Sequence, residues 1–343
     1  MAETLLSVEH LSTIFELPGR TPFSASHELK AVNDVSFDLA KGETLGIVGE
    51  SGCGKSTLGR SILRLIEPTE GRIVWQGHNL RDLSPRDMRK ARRDLSIIFQ
   101  DPIASLDPRM TVADIIAEPL RVSNPELSRK ERRERVQTVM EEVGLAPQMA
   151  NRYPHEFSGG QAQRIGIARA IVTEPKLIVC DEPVSALDVS IQAQIVSLLK
   201  RLKKRLGLTL IFISHDLSVV RLVSDRILVL YLGRIVELGP RREVFANPVH
   251  PYTQALLSAA PIPDPKIARQ RGRIVIKGDP PSPVNPPSGC VFHTRCPIAR
   301  EACAETVPPL DPVAPDHRAA CLFAEEAMRM AQSGSEPEAQ PSR

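Results

Sequence analysis

The run Gly49-Glu-Ser-Gly-Cys-Gly-Lys-Ser-Thr57 constrains this chain more than any other feature. It fits the pattern Gly-x4-Gly-Lys-Ser/Thr, follows an apolar run from Thr44 to Val48, and opens a helical pattern from Ser56 to Ile66. In that strand–loop–helix setting the motif is a phosphate cradle. Its glycines let the backbone curl until consecutive N–H groups and the helix N-terminus face one polyphosphate. Lys55 would then reach the β- and γ-phosphates, and the Ser56 hydroxyl would hold Mg²⁺. Gly49, Ser51, Gly52, Cys53, Gly54, Lys55, Ser56 and Thr57 are therefore candidate nucleotide-binding residues. A helix N-terminus also lowers thiol pKa values, which makes Cys53 a candidate reactive cysteine.

The surrounding pattern is α/β through about residue 240. Val35 to Leu39 alternates apolar and polar residues, as a half-buried antiparallel strand does. Thr44 to Val48, Leu177 to Cys180 and Leu210 to Ile213 are continuously apolar, which suits parallel strands covered on both faces. In such sheets the ligand crevice lies at the carboxyl ends of the strands. Between Met110 and Tyr153 the pattern is helical, and the charge run Arg129 to Arg135 reads as a solvated helix face. Asp225 to Gly239 reads as a hairpin turning near Gly233. Proline is dense from Pro261 to Pro315, so the remainder is expected to be loop-rich, with short helices at Tyr252 to Ala260 and after Cys321.

Leu177-Ile-Val-Cys-Asp181-Glu182 is an apolar strand ending in two acids. Asp181 would serve Mg²⁺, and Glu182 would polarise a water against the γ-phosphate. With Phe157-Ser-Gly-Gly-Gln161, about two dozen residues upstream, this resembles the ATP-binding-cassette ATPases, whose signature is Leu-Ser-Gly-Gly-Gln. The resemblance implies a P-loop ATPase of RecA-like core, with an antiparallel β subdomain, a helical signature subdomain at about residues 101–173, and the cassette spanning 1–240. It implies that Ser158, Gly159, Gly160 and Gln161 bind the γ-phosphate held by a partner subunit, so the working unit is a head-to-tail dimer. It further implies Gln100 as the residue contacting Mg²⁺ and the attacking water, and His215 as the γ-phosphate switch that steadies Glu182. Asp188, in Ser185-Ala-Leu-Asp188, falls at the dimer-crossing loop, and Phe15, in place of the commoner Tyr, at the adenine.

Two further stretches, Asn247 to Leu257 and Gly278 to Pro297, resemble the tail of dipeptide and oligopeptide import ATPases. That resemblance implies a peripheral subunit at the cytoplasmic face of the inner membrane. Its partners would be a second, different ATPase subunit, two permease subunits and an extracytoplasmic binding protein. Nickel, glutathione and some oligosaccharide importers share the tail and stand as alternative substrates. A non-transport cassette ATPase is the alternative of another class. Such proteins usually carry two cassettes or a long coiled-coil insertion, and neither is seen here.

Cys290, Cys296, Cys303 and Cys321 lie close together in the segment 241–333. Their spacing does not fit paired C-x-x-C knuckles, whereas four thiolates can hold an iron–sulfur cluster at looser spacing. The family resemblance favours a structural [4Fe–4S] cluster over zinc. Disulfides or free thiols are the plainer reading; His293 and His317, lying among these cysteines, read as loop residues, with ligation in a variant site as the alternative. Losing a cysteine should leave Lys55, Asp181 and Glu182 in place, so ATP binding is expected to survive it.

Composition excludes more than it identifies. At roughly 150 residues per domain, 343 residues correspond to about two domains. A net charge of +3, from 44 basic and 41 acidic residues, argues against a coat for nucleic acid or anionic lipid. No apolar run approaches the roughly 20 residues a membrane span requires. The first residues lack a basic, apolar leader pattern, so secretion is not expected. Residues 334–343 are expected to be disordered.

Overall fold

The computed structural model describes residues 3–18, 26–259, 274, 276 and 278–333. The expected disorder of 334–343 and the start of the proline-dense run, Pro261 to Arg273, lie outside the described residues. The chain builds two sheets. The first is antiparallel, in the order β2-β1-β4-β5, from β1 (Thr4–Leu17), β2 (His27–Ala40), β4 (Glu70–Trp75) and β5 (His78–Asn79). In β2, Val35, Phe37 and Leu39 are buried, so the alternating pattern marks its core face.

The second sheet holds β3 (Thr44–Val48), β6 (Leu95–Ile98), β7 (Leu177–Asp181), β8 (Thr209–Ile213), β9 (Arg226–Tyr231), β10 (Arg234–Pro240), β11 (Asp311–Ala314) and β12 (His317–Ala319). Its order is β11-β12-β10-β9-β3-β8-β7-β6. The pairs from β6 through β9 are parallel, and those from β9 through β11 are antiparallel. Every residue of β3, β7 and β8 is buried, which is why these three runs are apolar without alternation. The β9–β10 hairpin turns at Leu232 and Gly233, both at positive φ, as a tight two-residue turn demands.

One face of this sheet packs on α1 (Lys55–Ile62) and the antiparallel sheet. Gly59 brings α1 against the strands. A Cβ there would stand 2.8 Å from Ile213 Cδ1 and 2.9 Å from Val179 Cγ1. After β5 comes α2 (Pro85–Ala91). The other face carries α3 (Val112–Ser123), α4 (Arg129–Glu142), α5 (Gly159–Ile171), α6 (Val189–Leu206) and α7 (Leu217–Val223). Ser128 and Glu131 form a capping box at α4, and most of the charge run Arg129 to Arg135 is solvated.

The tail joins this architecture. After α8 (Arg241–Ala246) and α9 (Pro251–Ala259), the β11–β12 hairpin pairs with β10 and extends the main sheet, with Glu237 opposite Ala319. Between them lies α10 (Glu301–Glu305), and α11 (Ala324–Ser333) follows. Tyr252 and Phe292 of the tail are fully buried, with ring centroids 4.6 and 5.2 Å from that of Tyr231 on β9. The segment therefore packs on the core of the main sheet in place of one of its own. Glu237, with no exposure, accepts bonds from Val249 N (3.0 Å) and His250 N (2.8 Å) and lies 2.8 Å from His317 Nε2.

His250 carries a pH consequence. Burial lowers its pKa from 6.5 to about 3, because no charged form can be hydrated there. The unfolded chain takes up this proton below pH 6.5 while the folded chain does not, so stability falls as pH drops from 6.5 towards 3. His250→Asn, which retains an acceptor for Tyr252 N, is expected to flatten that limb in urea titrations between pH 7 and 4. The slope removed should approach about 1.4 kcal/mol per pH unit.

Candidate active site

Four neighbouring parallel strands deliver the site from their carboxyl ends. The loop after β3 is the phosphate cradle, β6 leads to Gln100, β7 ends in Asp181 and Glu182, and β8 leads to His215. Gly54 caps α1 at φ +103°, where an added Cβ would lie 2.0 Å from Ala31 O. No other residue could occupy it without moving the β2 backbone. A pocket of about 270 Å³ lies over the loop, lined by Ser51 to Thr57, Phe15, Gln100 and Glu182. Leu29, Lys30 and Ala31 from β2, Leu232 and Gly233 from the hairpin and Pro283 from the tail complete it.

Lys55 is 4% exposed, and its Nζ donates to Gly49 O (3.0 Å) and Glu50 O (2.9 Å), with Glu182 Oε1 at 3.9 Å. Ser56 Oγ donates to Asp181 Oδ1 at 2.6 Å, and Arg60 Nη2 to Asp181 Oδ2 at 3.1 Å. Glu182 Oε2 accepts from Gln100 Nε2 at 3.1 Å and lies 3.2 Å from His215 Nδ1. One carboxylate thus gathers an amide, an imidazole and an ammonium. The Glu182 backbone sits at φ +47°. That conformation costs a non-glycine residue on the order of 1–3 kcal/mol, a strain typical of residues held for function.

The other expected residues stand apart from this pocket. Ser158 caps α5 in a capping box with Gln161, Gly159 and Gly160 begin that helix, and Asp188 caps α6 by accepting from Ile191 N at 3.0 Å. None of Ser158, Gly159, Gly160, Gln161 or Asp188 lines the pocket. Ser190 and the Ile191 N–H hold the Asp188 carboxyl below its usual range.

These features match known proteins. Residues 32–185 match the family model described as ABC transporter, and residues 236–303 match the oligopeptide/dipeptide transporter C-terminal region. The oligopeptide transport ATP-binding protein OppF of Haemophilus influenzae is 58% identical, over 93% of this chain and 97% of its own length. Its Escherichia coli namesake is 57% identical over 90% of this chain and 93% of its own. The chain belongs to the ABC-type oligopeptide transport ATP-binding proteins. The structure of the ATP-binding cassette MJ0796 in a post-hydrolysis state, bound to ADP and Pi, covers 69% of this chain and 99% of its own at 31% identity and a TM-score of 0.62.

All six cysteines are free. Cys53 corrects an expectation: its pKa is raised, because burial outweighs the lowering effect of Lys55 and the loop N–H groups. Burial also pushes Cys296 up to about 12 and Cys321 up to about 11, and neighbouring thiols add to both. Cys290, Cys303 and Cys321 all act on Cys296, so the four thiols share one neighbourhood, and Cys290 N donates to Cys303 O at 2.7 Å. Among the described residues, no group of three or more ligating side chains converges to metal-binding geometry. His317 faces Glu237 and His293 Nδ1 faces the Cys290 carbonyl, so neither points its bonding to a variant site.

Sequence reading missed Arg60 on Asp181, and also the tail residues Pro283, Tyr252 and Arg295 that reach the loop. Only Arg60 had a local signal, at one turn from Ser56 on the same helix face. The burial of Cys53 is directly testable. At pH 7.5 iodoacetamide should label it at least about tenfold more slowly in the folded chain than in urea, by mass spectrometry of the 49–57 peptide. A folded rate equal to the unfolded one would contradict the burial argument.

Proposed function

We propose that this chain is the ATP-hydrolysing subunit that powers import of oligopeptides across the inner membrane. The observation that carries the reading is the convergence of Gln100, His215 and Lys55 on Glu182, beside the Ser56–Asp181 pair. The names of the relatives, oligopeptide transport ATP-binding proteins, support the substrate class.

In this reading Phe15 stacks on adenine, and N–H groups of the loop between Ser51 and Thr57 face the phosphates. Lys55 leaves the Gly49 and Glu50 carbonyls for phosphate oxygens. Ser56, Asp181 and Gln100 fit Mg²⁺, since hydroxyl, carboxylate and amide oxygens suit a hard cation. When bound, Mg²⁺ supplies charge neutralisation at the phosphates. Glu182 polarises the attacking water, and His215 and Gln100 fix its carboxylate so that one oxygen faces that water. Ser158, Gly159, Gly160, Gln161 and Asp188 serve the neighbouring subunit's nucleotide in a head-to-tail dimer. Two observations support this: they lie outside the chain's own pocket, and the post-hydrolysis structure of the similar cassette MJ0796 is dimeric.

The partner in that dimer is a second, different ATPase subunit, and the assembly docks peripherally on two permease subunits fed by a binding protein. Among the described residues no helix is long and apolar enough to cross a membrane. The cassette takes residues 1–240 and the cysteine segment 241–333. Cys290, Cys296, Cys303 and Cys321 would hold a structural [4Fe–4S] cluster, zinc being the alternative. Four unbonded thiols are a soft-metal donor set by chemistry, although among the described residues no three of them converge to metal-binding geometry. Bound there, the metal group would supply folding energy to a proline-rich segment.

Two measurements test these assignments. Glu182→Gln in the assembled transporter should retain ATP binding and lose 10² to 10⁴ in turnover, roughly the contribution of a positioned base. Turnover within about threefold of wild type would remove Glu182 from that role. Metal and sulfide analysis of protein purified without oxygen addresses the cysteines. Iron and sulfide in equal amounts, four of each per chain, support the cluster; one zinc without sulfide replaces it; neither would leave four plain thiols.

A further inference from the structure

Glu50 occupies the first variable position of the phosphate loop, and every polar group it carries is engaged. Its N–H donates to the Tyr252 hydroxyl at 2.7 Å, and its carbonyl accepts from Lys55 Nζ at 2.9 Å. Its carboxylate receives Arg295 Nη1 at 3.0 and 3.3 Å. Arg295 is 8% exposed, and the same Nη1 also donates to the Tyr231 hydroxyl at 3.3 Å.

Arg295 is itself fixed by a compact stretch of tail. His293 N donates to Cys290 O, Arg295 N to Phe292 O, and Cys296 N to His293 O, which winds residues 290–296 into consecutive tight turns. Phe292 anchors that stretch by packing on Tyr231 and Tyr252, the two tyrosines whose hydroxyls meet Arg295 and Glu50 N. Two tail residues thus grip one loop residue, each through a rigid support. A phosphate loop must present its N–H groups already oriented, and a loop released from its anchors is ordered only when the ligand binds, which weakens affinity.

We propose that Arg295 and Tyr252 are positioning residues for the nucleotide site, acting through Glu50, so that the cysteine-bearing tail sets ATP affinity. This points away from the independence of tail and loop expected from sequence. It rests on the reading of the pocket as the nucleotide site.

The test is a double-mutant cycle on the full chain, with Mg-ATP affinity measured by titration calorimetry and KM and kcat measured in the assembled transporter. Arg295→Ala and Glu50→Ala should each weaken binding about tenfold, and the double variant no further than either alone. KM should rise while kcat stays within about twofold, and Arg295→Lys should recover part of the loss. Additive losses, or binding within twofold of the parent in Arg295→Ala, would overturn the proposal. If Arg295→Ala does not fold, Tyr252→Phe decides, since it removes one oxygen and retains the ring packing: about threefold weaker binding supports the link, and unchanged binding opposes it. Lys55→Ala separates the two readings. Undiminished ATP binding in that variant would sink the nucleotide site itself, whereas lost binding with an additive cycle would sink only the link through Glu50.

Discussion

The site depends on one buried ammonium being satisfied. Lys55 is 4% exposed, and among the described contacts its charge meets the Gly49 and Glu50 carbonyls and, at 3.9 Å, Glu182. Leaving such a charge unpaired costs several kcal/mol, roughly 3–5, so the loop must stay curled around Lys55 for the fold to hold it there. The curl requires Gly54 at φ +103°, hard against Ala31 O. The same carbonyls are weaker partners than phosphate oxygens would be, because a full negative charge strengthens the hydrogen bond. The resting arrangement is therefore stable enough to persist and weak enough to be exchanged.

The rest of the machinery follows from strand order. With β3, β8, β7 and β6 adjacent and parallel, their carboxyl ends bring the phosphate loop, His215, Asp181 with Glu182, and Gln100 to one edge. Side chains more than a hundred residues apart meet there, as Ser56 and Asp181 do at 2.6 Å. The left-handed turn at Glu182 tips its carboxylate off the strand axis, between Gln100 and His215. The buried sheet beneath absorbs that strain, since β7 has no exposed residue.

Much of this was legible because the signals are local. A loop of fixed spacing after an apolar strand specifies its own geometry, and the continuous apolar runs of β3, β7 and β8 specify burial on both faces. Cys53 was misread for a physical reason: position at a helix N-terminus is visible in sequence, whereas the direction of the side chain is not. An added Cβ at Gly49 would meet Cys53 Sγ at 2.7 Å, so the thiol packs under the loop and burial dominates. The tail was the least legible part. Proline density predicts loops and says nothing of Phe292 and Tyr252 entering a core built by residues two hundred positions away in part.

How a loop-rich segment finds one seat is answered by Glu237. Its carboxylate is fully buried on β10, yet its partners come from two separate tail pieces: the Val249 and His250 N–H groups before α9, and His317 on β12. Moving β12 by one residue would turn His317 to the other face of the sheet. Each buried polar group then left unpaired costs about 1–3 kcal/mol, so the wrong registers are penalised at several atoms together. That penalty selects the register in which Glu237 faces Ala319, and it pins the start of α9, which carries Tyr252. The hydroxyl that receives Glu50 N is thereby placed by a carboxylate on β10, two strands from β3 in the same sheet.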